Sequence, residues 1–326
     1  MTDQPLLEVE NLRIDLSVGE RRFAAVEDVS FSIRRGETYG LVGESGCGKS
    51  ITTLALMGLL KPPLSIGGGT IRFEGREIQG LGPSELRKLR GDRISIIFQE
   101  PMTALNPLQP VGRQIAEMFV LHRGASWSEA RRQAVEALAS VKVPAPERRV
   151  KDYPHQLSGG MRQRVMIAIA LACGPDLLLA DEPTTALDVT VQAEILDLIR
   201  ELSAAKGTAV LMISHDLGLI ANMCRRVGVM YAGRLVEERA ATDVFKSPSH
   251  PYTGGLVASL PLLGARARHG QKKLNEIAGV VPPVTAFPAG CRFNPRCGAR
   301  TDICERQDPE ATPLAGGGLV RCHHHA

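Results

Sequence analysis

TYGLVGESGCGKS, residues 38–50, decides the fold. A short apolar run enters Gly43–Ser50, which matches G-x-x-x-x-G-K-[ST] in full, and a helical pattern follows. Gly43, Gly46 and Gly48 let the backbone turn tightly and aim N–H groups at phosphate oxygens, while the N-terminus of the next helix adds positive potential. Lys49 supplies a flexible point charge for β- and γ-phosphates, and the Ser50 hydroxyl is a small ligand suited to Mg²⁺. Glu44, Ser45, Cys47 and Ile51 complete the predicted nucleotide site.

Upstream, residues 6–16 and 23–33 alternate apolar and polar side chains and read as strands with one buried face. Downstream, a helix is predicted through Leu54, Met57 and Leu60 until Pro62 and Pro63 stop it. GGGTIRFEGREI (67–78) reads as a loop leading into a hairpin, and residues 93–98 as a short buried strand. From about 111 to 173 the period is helical, with a capping box at Ser126 and Glu129 opening residues 126–141 and a further helix from near Gly160 to Cys173. Strand, helix and strand then follow at 177–180, 191–202 and 208–214. This is an α/β core interrupted by a helical insertion.

Composition bounds the reading. With 326 residues, 44% hydrophobic and 23% charged, the chain can bury a sizeable core, which excludes disorder, collagen and a disulfide mini-scaffold. A net charge of +4 does not argue for nucleic acid. The opening MTDQPLLEVENLRI has no cationic start followed by an apolar run, so no secretory signal is expected. Residues 165–180, the most apolar stretch, are cut by Gly174, Pro175 and Asp176, short of the roughly 20 apolar residues of a membrane helix. Seven cysteines without a signal point to a reducing compartment.

A phosphate loop alone does not separate kinase from hydrolase; a second pair of acids does. LLLADE (177–182) is an apolar strand ending in two carboxylates, where α/β ligands bind. Asp181 can orient Mg²⁺ and its waters, and Glu182 can accept a proton from an attacking water.

With these in place, LSGGMRQRV (157–165) resembles the signature segment of ATP-binding cassette (ABC) proteins. Gln99 in IIFQEP, Thr185–Asp188 (TALD) and His215 in ISHD stand in the same family order, and the resemblance covers about residues 6–247. It implies an ABC-type P-loop ATPase core (1–247) with a β subdomain and a helical insertion at about 105–168. It also implies two cassettes packed head to tail, each ATP held between one phosphate loop and the other chain's signature. Ser158, Gly159, Gly160 and Gln163 would then face the partner's ATP, Asp188 would link the two sites, Gln99 would touch Mg²⁺ and the attacking water, and His215 would reach the γ-phosphate. The residues agree to this extent: SGG opening a long helix is a second N-terminal anion site, with Ser158 as its cap. The family's usual adenine-stacking aromatic is not evident. VGERRF offers only Phe23, with Arg21 or Arg22 as cation–π substitutes, and Phe23 reads equally well as a core strand residue.

Residues 99–112, 151–171 and 250–261 resemble the dipeptide/oligopeptide branch of ABC importers, which includes nickel and glutathione systems. The branch implies an ATPase subunit powering import of di- or oligopeptides, peripheral on the cytoplasmic face of the membrane, with nickel, glutathione or heme as other solutes. A soluble non-transport cassette is the more distant reading. The implied partners are two permeases, a second, non-identical ATPase and an extracytoplasmic binding protein.

Residues 248–326 read as a small, irregular, Cys-rich extension. Cys291, Cys297, Cys304 and Cys322 are spaced C-x5-C-x6-C-x17-C in a segment with few large apolar residues, which therefore needs a staple. From spacing alone a 4Fe-4S cluster, a zinc ion (with His323–His325 as alternative ligands) and plain thiols stand level. Resemblance to the dipeptide-importer ATPases implies the 4Fe-4S cluster.

Overall fold

The computed structural model describes residues 4–185, 187–260 and 276–325. Ala186 of the TALD segment and Pro261, which closes HPYTGGLVASLP, lie outside the described residues. The chain forms two compact units, each assembled from separated segments: one from Met1–Leu6, Ile33–Glu37 and Gly80–Ile213, the other from Leu7–Ser32, Thr38–Gln79 and Ser214–Ala326. The second carries the phosphate loop, the first the paired acids.

In the phosphate-loop unit, the expected alternation appears as β1 (Leu7–Val18) and β2 (Arg21–Ile33). The strand before the loop is β3 (Thr38–Val42), with Tyr39, Leu41 and Val42 fully buried, and the helix after it is α1 (Lys49–Leu56). The helix stops earlier than expected, before the prolines. Gly58 adopts φ 61°, and the amides of Gly58 and Leu59 donate to the carbonyls of Ala55 and Leu54 at 2.9 and 2.8 Å, a left-handed glycine cap. β4 (Leu64–Phe73) and β5 (Arg76–Glu77) form the expected hairpin, giving the sheet order β2-β1-β4-β5. The GGG run expected as loop lies inside β4 instead. β1 bulges opposite it between Glu10 and Arg13, with Asn11 at φ 49°, and a Cβ on Gly69 would strike the Asn11 carbonyl oxygen.

The carboxylate unit is built on a parallel run, β6 (Ile94–Ile97), β7 (Leu177–Asp181) and β8 (Ala209–Ser214), in register Ile94↔Leu177 and Leu177↔Ala209. Leu177, Leu178 and Leu179 are fully buried, as a strand covered on both faces requires. Around them lie α2 (Pro83–Leu89), α3 (Pro101–Ala104), α4 (Val111–Arg123), α5 (Trp127–Ser140), α6 (Pro146–Arg149), α7 (Gly159–Leu171) and α8 (Val189–Lys206). Ser126 caps α5, accepting from the Glu129 amide at 3.2 Å; the Glu129 carboxylate turns to Arg132 at 2.5 Å. Val165, Ile167, Ile195 and Ile199 supply fully buried helix faces.

The rest of the phosphate-loop unit follows from 214. α9 (Leu217–Met223) leads to β9 (Arg226–Tyr231), parallel to β3, and β10 (Arg234–Ala240) returns antiparallel to β9. After α10 (Ala241–Lys246), α11 (Pro251–Ala258) and α12 (Asp302–Arg306), the extension ends in β11 (Thr312–Pro313) and β12 (Leu319–Val320), with β12 paired antiparallel to β10. The extension therefore borrows a core as well as carrying cysteines. Phe293 packs edge-on to Tyr231 (ring centroids 5.1 Å) and near Tyr252 (5.4 Å), and the Arg292 guanidinium donates to the Ala232 carbonyl at 2.6 Å. Among the described residues, no helix is long and apolar enough to cross a membrane.

Candidate functional site

The phosphate loop turns where its glycines permit. Gly43, Gly46 and Gly48 have φ of 152°, 80° and 107°, and a Cβ on Gly43 would strike the Met230 carbonyl oxygen. Gly48 is the N-cap of α1 and no side chain caps that end, an arrangement suited to an anion at the helix N-terminus. Ser45, Gly46 and Ser50 are exposed, Ile51 half-buried, and Cys47 and Lys49 buried. The Lys49 ammonium donates to the carbonyls of Gly43 (2.7 Å) and Glu44 (3.1 Å) and reaches Cys47 Sγ at 3.5 Å. Burial pushes the Cys47 thiol up and keeps it neutral.

Glu44 is held by groups from far along the chain. Its amide donates to Tyr252 Oη at 2.9 Å, and its carboxylate accepts a two-pronged bond from Arg296, Nη1 at 2.7 Å and Nη2 at 3.0 Å. The Arg296 side chain is only 4% exposed; it also donates to Ala278 O (2.9 Å), Ile277 O (3.1 Å) and Tyr231 Oη (3.5 Å). The hydrogen bonds it donates to Glu44 raise its pKa further. The sequence reading assigned neither Tyr252 nor Arg296 a role: Tyr252 lay in a segment read only for its resemblance, and nothing in the spacing marked Arg296.

His215, exposed in the same unit, follows β8 where Asp216 caps α9.

In the carboxylate unit, β7 delivers Asp181, 8% exposed, and then Glu182, whose backbone is left-handed at φ 47°. The Glu182 amide donates to Ile213 O at 3.0 Å, which fixes the turn. Its Oε2 accepts from Gln99 Nε2 (3.1 Å) and from Thr185 Oγ1 (3.0 Å). The structure thus joins Gln99 to Glu182 and adds Thr185, which the sequence had placed only within TALD.

Ser158 caps α7, accepting from the Met161 amide at 3.3 Å, and Ser158 and Gly159 are exposed. A Cβ on Gly160 would come within 2.9 Å of Val191 Cγ1, so α7 and α8 approach closely there. Gln163 departs from the expectation of an outward face: more than a turn inside the helix, it is 2% exposed. Asp188 caps α8 through the Val191 amide at 3.0 Å.

In the extension, Cys291, Cys297, Cys304 and Cys322, all free, line one small cavity together with His250 and His324. Burial pushes the Cys291 thiol up to about 11 and raises Cys322 as well. His250, 2% exposed, accepts the Tyr252 amide on Nδ1 at 3.0 Å, and burial lowers its pKa to about 4. Among the described residues, no three His, Cys, Asp or Glu side chains are grouped closely enough to hold a single metal ion.

Two family models match the chain: ABC transporter over residues 26–185, and oligopeptide/dipeptide transporter, C-terminal region, over 236–304. The Oligopeptide transport ATP-binding protein OppD of Escherichia coli (strain K12) is 51% identical over 319 residues, 97% of this chain and 92% of that protein. AppD of Bacillus subtilis (strain 168), of the same description, is 47% identical over 321 residues, 97% and 96% of the two chains. Among solved structures, the dimeric ATP-binding cassette MJ0796 bound to ADP and Pi superposes with TM-score 0.65 at 31% identity, over 72% of this chain and 98% of that one. CbiO1 from Clostridium perfringens, part of the transporter complex cbiONQ, gives 0.64 at 27% identity, over 75% and 92%.

Proposed function

This chain belongs to the ABC transporter family, and on that premise we propose that it is the ATP-hydrolysing subunit of a peptide importer. The observation that carries the chemistry is Glu182: hydrogen bonds from Gln99 and Thr185 hold its carboxylate at the end of the strand that delivers it, the place and group for taking a proton from water. The phosphate loop binds the nucleotide, with Lys49 on the β- and γ-phosphates and His215 toward the γ-phosphate. Ser50, Gln99 and Asp181 carry hard oxygen donors of the kind Mg²⁺ takes; they would hold the ion, which would neutralise phosphate charge. Ser158, Gly159 and Gly160 serve ATP on a partner cassette, with Gln163 supporting that turn from within and Asp188 linking the sites.

Support for peptide as solute comes from the relatives' descriptions, which favour it over nickel complexes, glutathione or heme, and from the C-terminal match, which speaks against a non-transport cassette. Residues 1–247 then form the cassette and 248–326 the importer-type extension. The partners are two permeases, a binding protein and a second, non-identical ATPase, with this chain peripheral on the cytoplasmic face of the membrane.

Assembly tests the reading. The isolated chain should bind MgATP but hydrolyse it slowly, with activity rising on adding permeases and second ATPase, and again with loaded binding protein. Fast, concentration-independent ATPase from a strict monomer would contradict a shared site.

For the extension we propose a 4Fe-4S cluster, with zinc as the alternative. A four-iron cluster spreads its thiolates over four irons, so thiols ringing a cavity suit it. Such a cluster cross-links loops; hydrolysis needs no electron from it. Anaerobically purified protein should absorb broadly near about 400 nm and contain about four iron and four sulfide per chain. Cys297→Ser/Cys304→Ser should lose both. Colourless protein with one zinc per chain would move the assignment to zinc.

A further inference from the structure

Glu44 is an awkward residue for its place. It is the second residue of a loop that receives a polyanion, and its carboxylate adds negative charge where the nucleotide's own must be accommodated. Its carbonyl oxygen, beside that of Gly43 at 2.7 Å, also accepts from the Lys49 ammonium, at 3.1 Å. Every polar group of Glu44's backbone and side chain has a hydrogen-bond partner, and two of those partners, Tyr252 and Arg296, come from the extension.

The two contacts differ in chemistry and converge in effect. Arg296 neutralises the carboxylate through a planar fork, a geometry lysine cannot reproduce. Its remaining donors go to Ile277 O, Ala278 O and Tyr231 Oη, so the guanidinium is fixed before any nucleotide arrives. Tyr252 is fully buried, its ring 4.6 Å from that of Tyr231, and its hydroxyl oxygen is aimed at the Glu44 amide. Glu44 therefore cannot swing its charge toward the loop's open side, nor can its carbonyl drift from Lys49.

We propose that Arg296 and Tyr252 are positioning residues for the phosphate loop: by neutralising and fixing Glu44 they set the resting place of Lys49, and with it the loop's affinity for nucleotide. Both residues flank the cysteine cavity. Arg296 precedes Cys297, and Tyr252 is tied to His250, so what binds there has a short path to the loop. The proposal rests on the loop's being the nucleotide site and does not require the cluster.

The test is calorimetric titration of the full chain with MgADP, which is not consumed, together with KM and kcat for ATP in the assembled transporter. Arg296→Met should weaken MgADP binding roughly tenfold, because it uncovers the Glu44 charge. The double variant Arg296→Met/Glu44→Gln should recover most of that loss, since the uncovered charge is gone. Raising the salt should shrink the defect of the single variant. Tyr252→Phe, which removes one oxygen and keeps the ring packing, should weaken binding roughly three-fold. In the transporter, KM should rise with kcat little changed. Arg296→Met is the variant at risk of misfolding, and Tyr252→Phe then decides alone. Unaltered chain that fails to bind MgADP would sink the nucleotide reading itself. Unaltered chain that binds while Tyr252→Phe and a folded Arg296→Met match it within measurement error would overturn this proposal. So would a double variant as weak as the single, since that outcome marks a purely structural Arg296.

Discussion

Glu182→Gln in the assembled transporter should bind MgATP almost as the unaltered chain does and lose hydrolysis by about 10²–10⁴-fold, the usual contribution of a general base. The substitution keeps the shape of the side chain, so the turn fixed by the Glu182 amide on Ile213 stays in place. An amide has no lone pair basic enough to take the proton, while its oxygen can still accept the bonds from Gln99 and Thr185. Single-turnover hydrolysis beside nucleotide binding is the measurement, and wild-type turnover would remove Glu182 from the role of base.

Lys49→Ala should fail at the earlier step. The ammonium is buried against two carbonyl oxygens and provides the charge the phosphates meet; a hydrogen bond to a charged group contributes about 1.5–3 kcal/mol. Affinity for MgATP should fall by roughly 10- to 100-fold, with hydrolysis lost at ordinary nucleotide concentrations. Titration calorimetry gives the affinity directly, and unaltered affinity would mean that Lys49 does not contact the phosphates.

The two substitutions fall on residues that were unequally legible. Lys49 sits in eight consecutive residues whose glycines, charge and hydroxyl each have a separable reason, so local sequence suffices. Glu182 and Gln99 are 83 residues apart, and only the order of motifs along the chain related them before their 3.1 Å contact was seen. Tyr252 and Arg296 are 208 and 252 residues from Glu44, a pairing that leaves no period and no spacing to read. Gly69 shows the opposite difficulty. A glycine run ordinarily signals a loop, and here the bulge at Asn11 demands it within a strand. Gln163 was legible as a motif member but not as a buried side chain, because helix phase alone does not say how far α7 sinks into its unit. The strands with clean alternation, β1 and β2, were readable because one face is buried along their length.

The hold on Glu44 also sets an order in time. During synthesis at about 5–20 residues per second, the 252 residues separating Glu44 from Arg296 take roughly 10–50 s to make. For that interval the nascent phosphate loop exists without its clamp, and β3, which carries it, waits for β9. A ribosome-bound fragment thus has the whole phosphate motif but not the arrangement that steadies its lysine. Until Tyr252 and Arg296 have been made, the loop should hold nucleotide more weakly, by about the same tenfold expected of Arg296→Met.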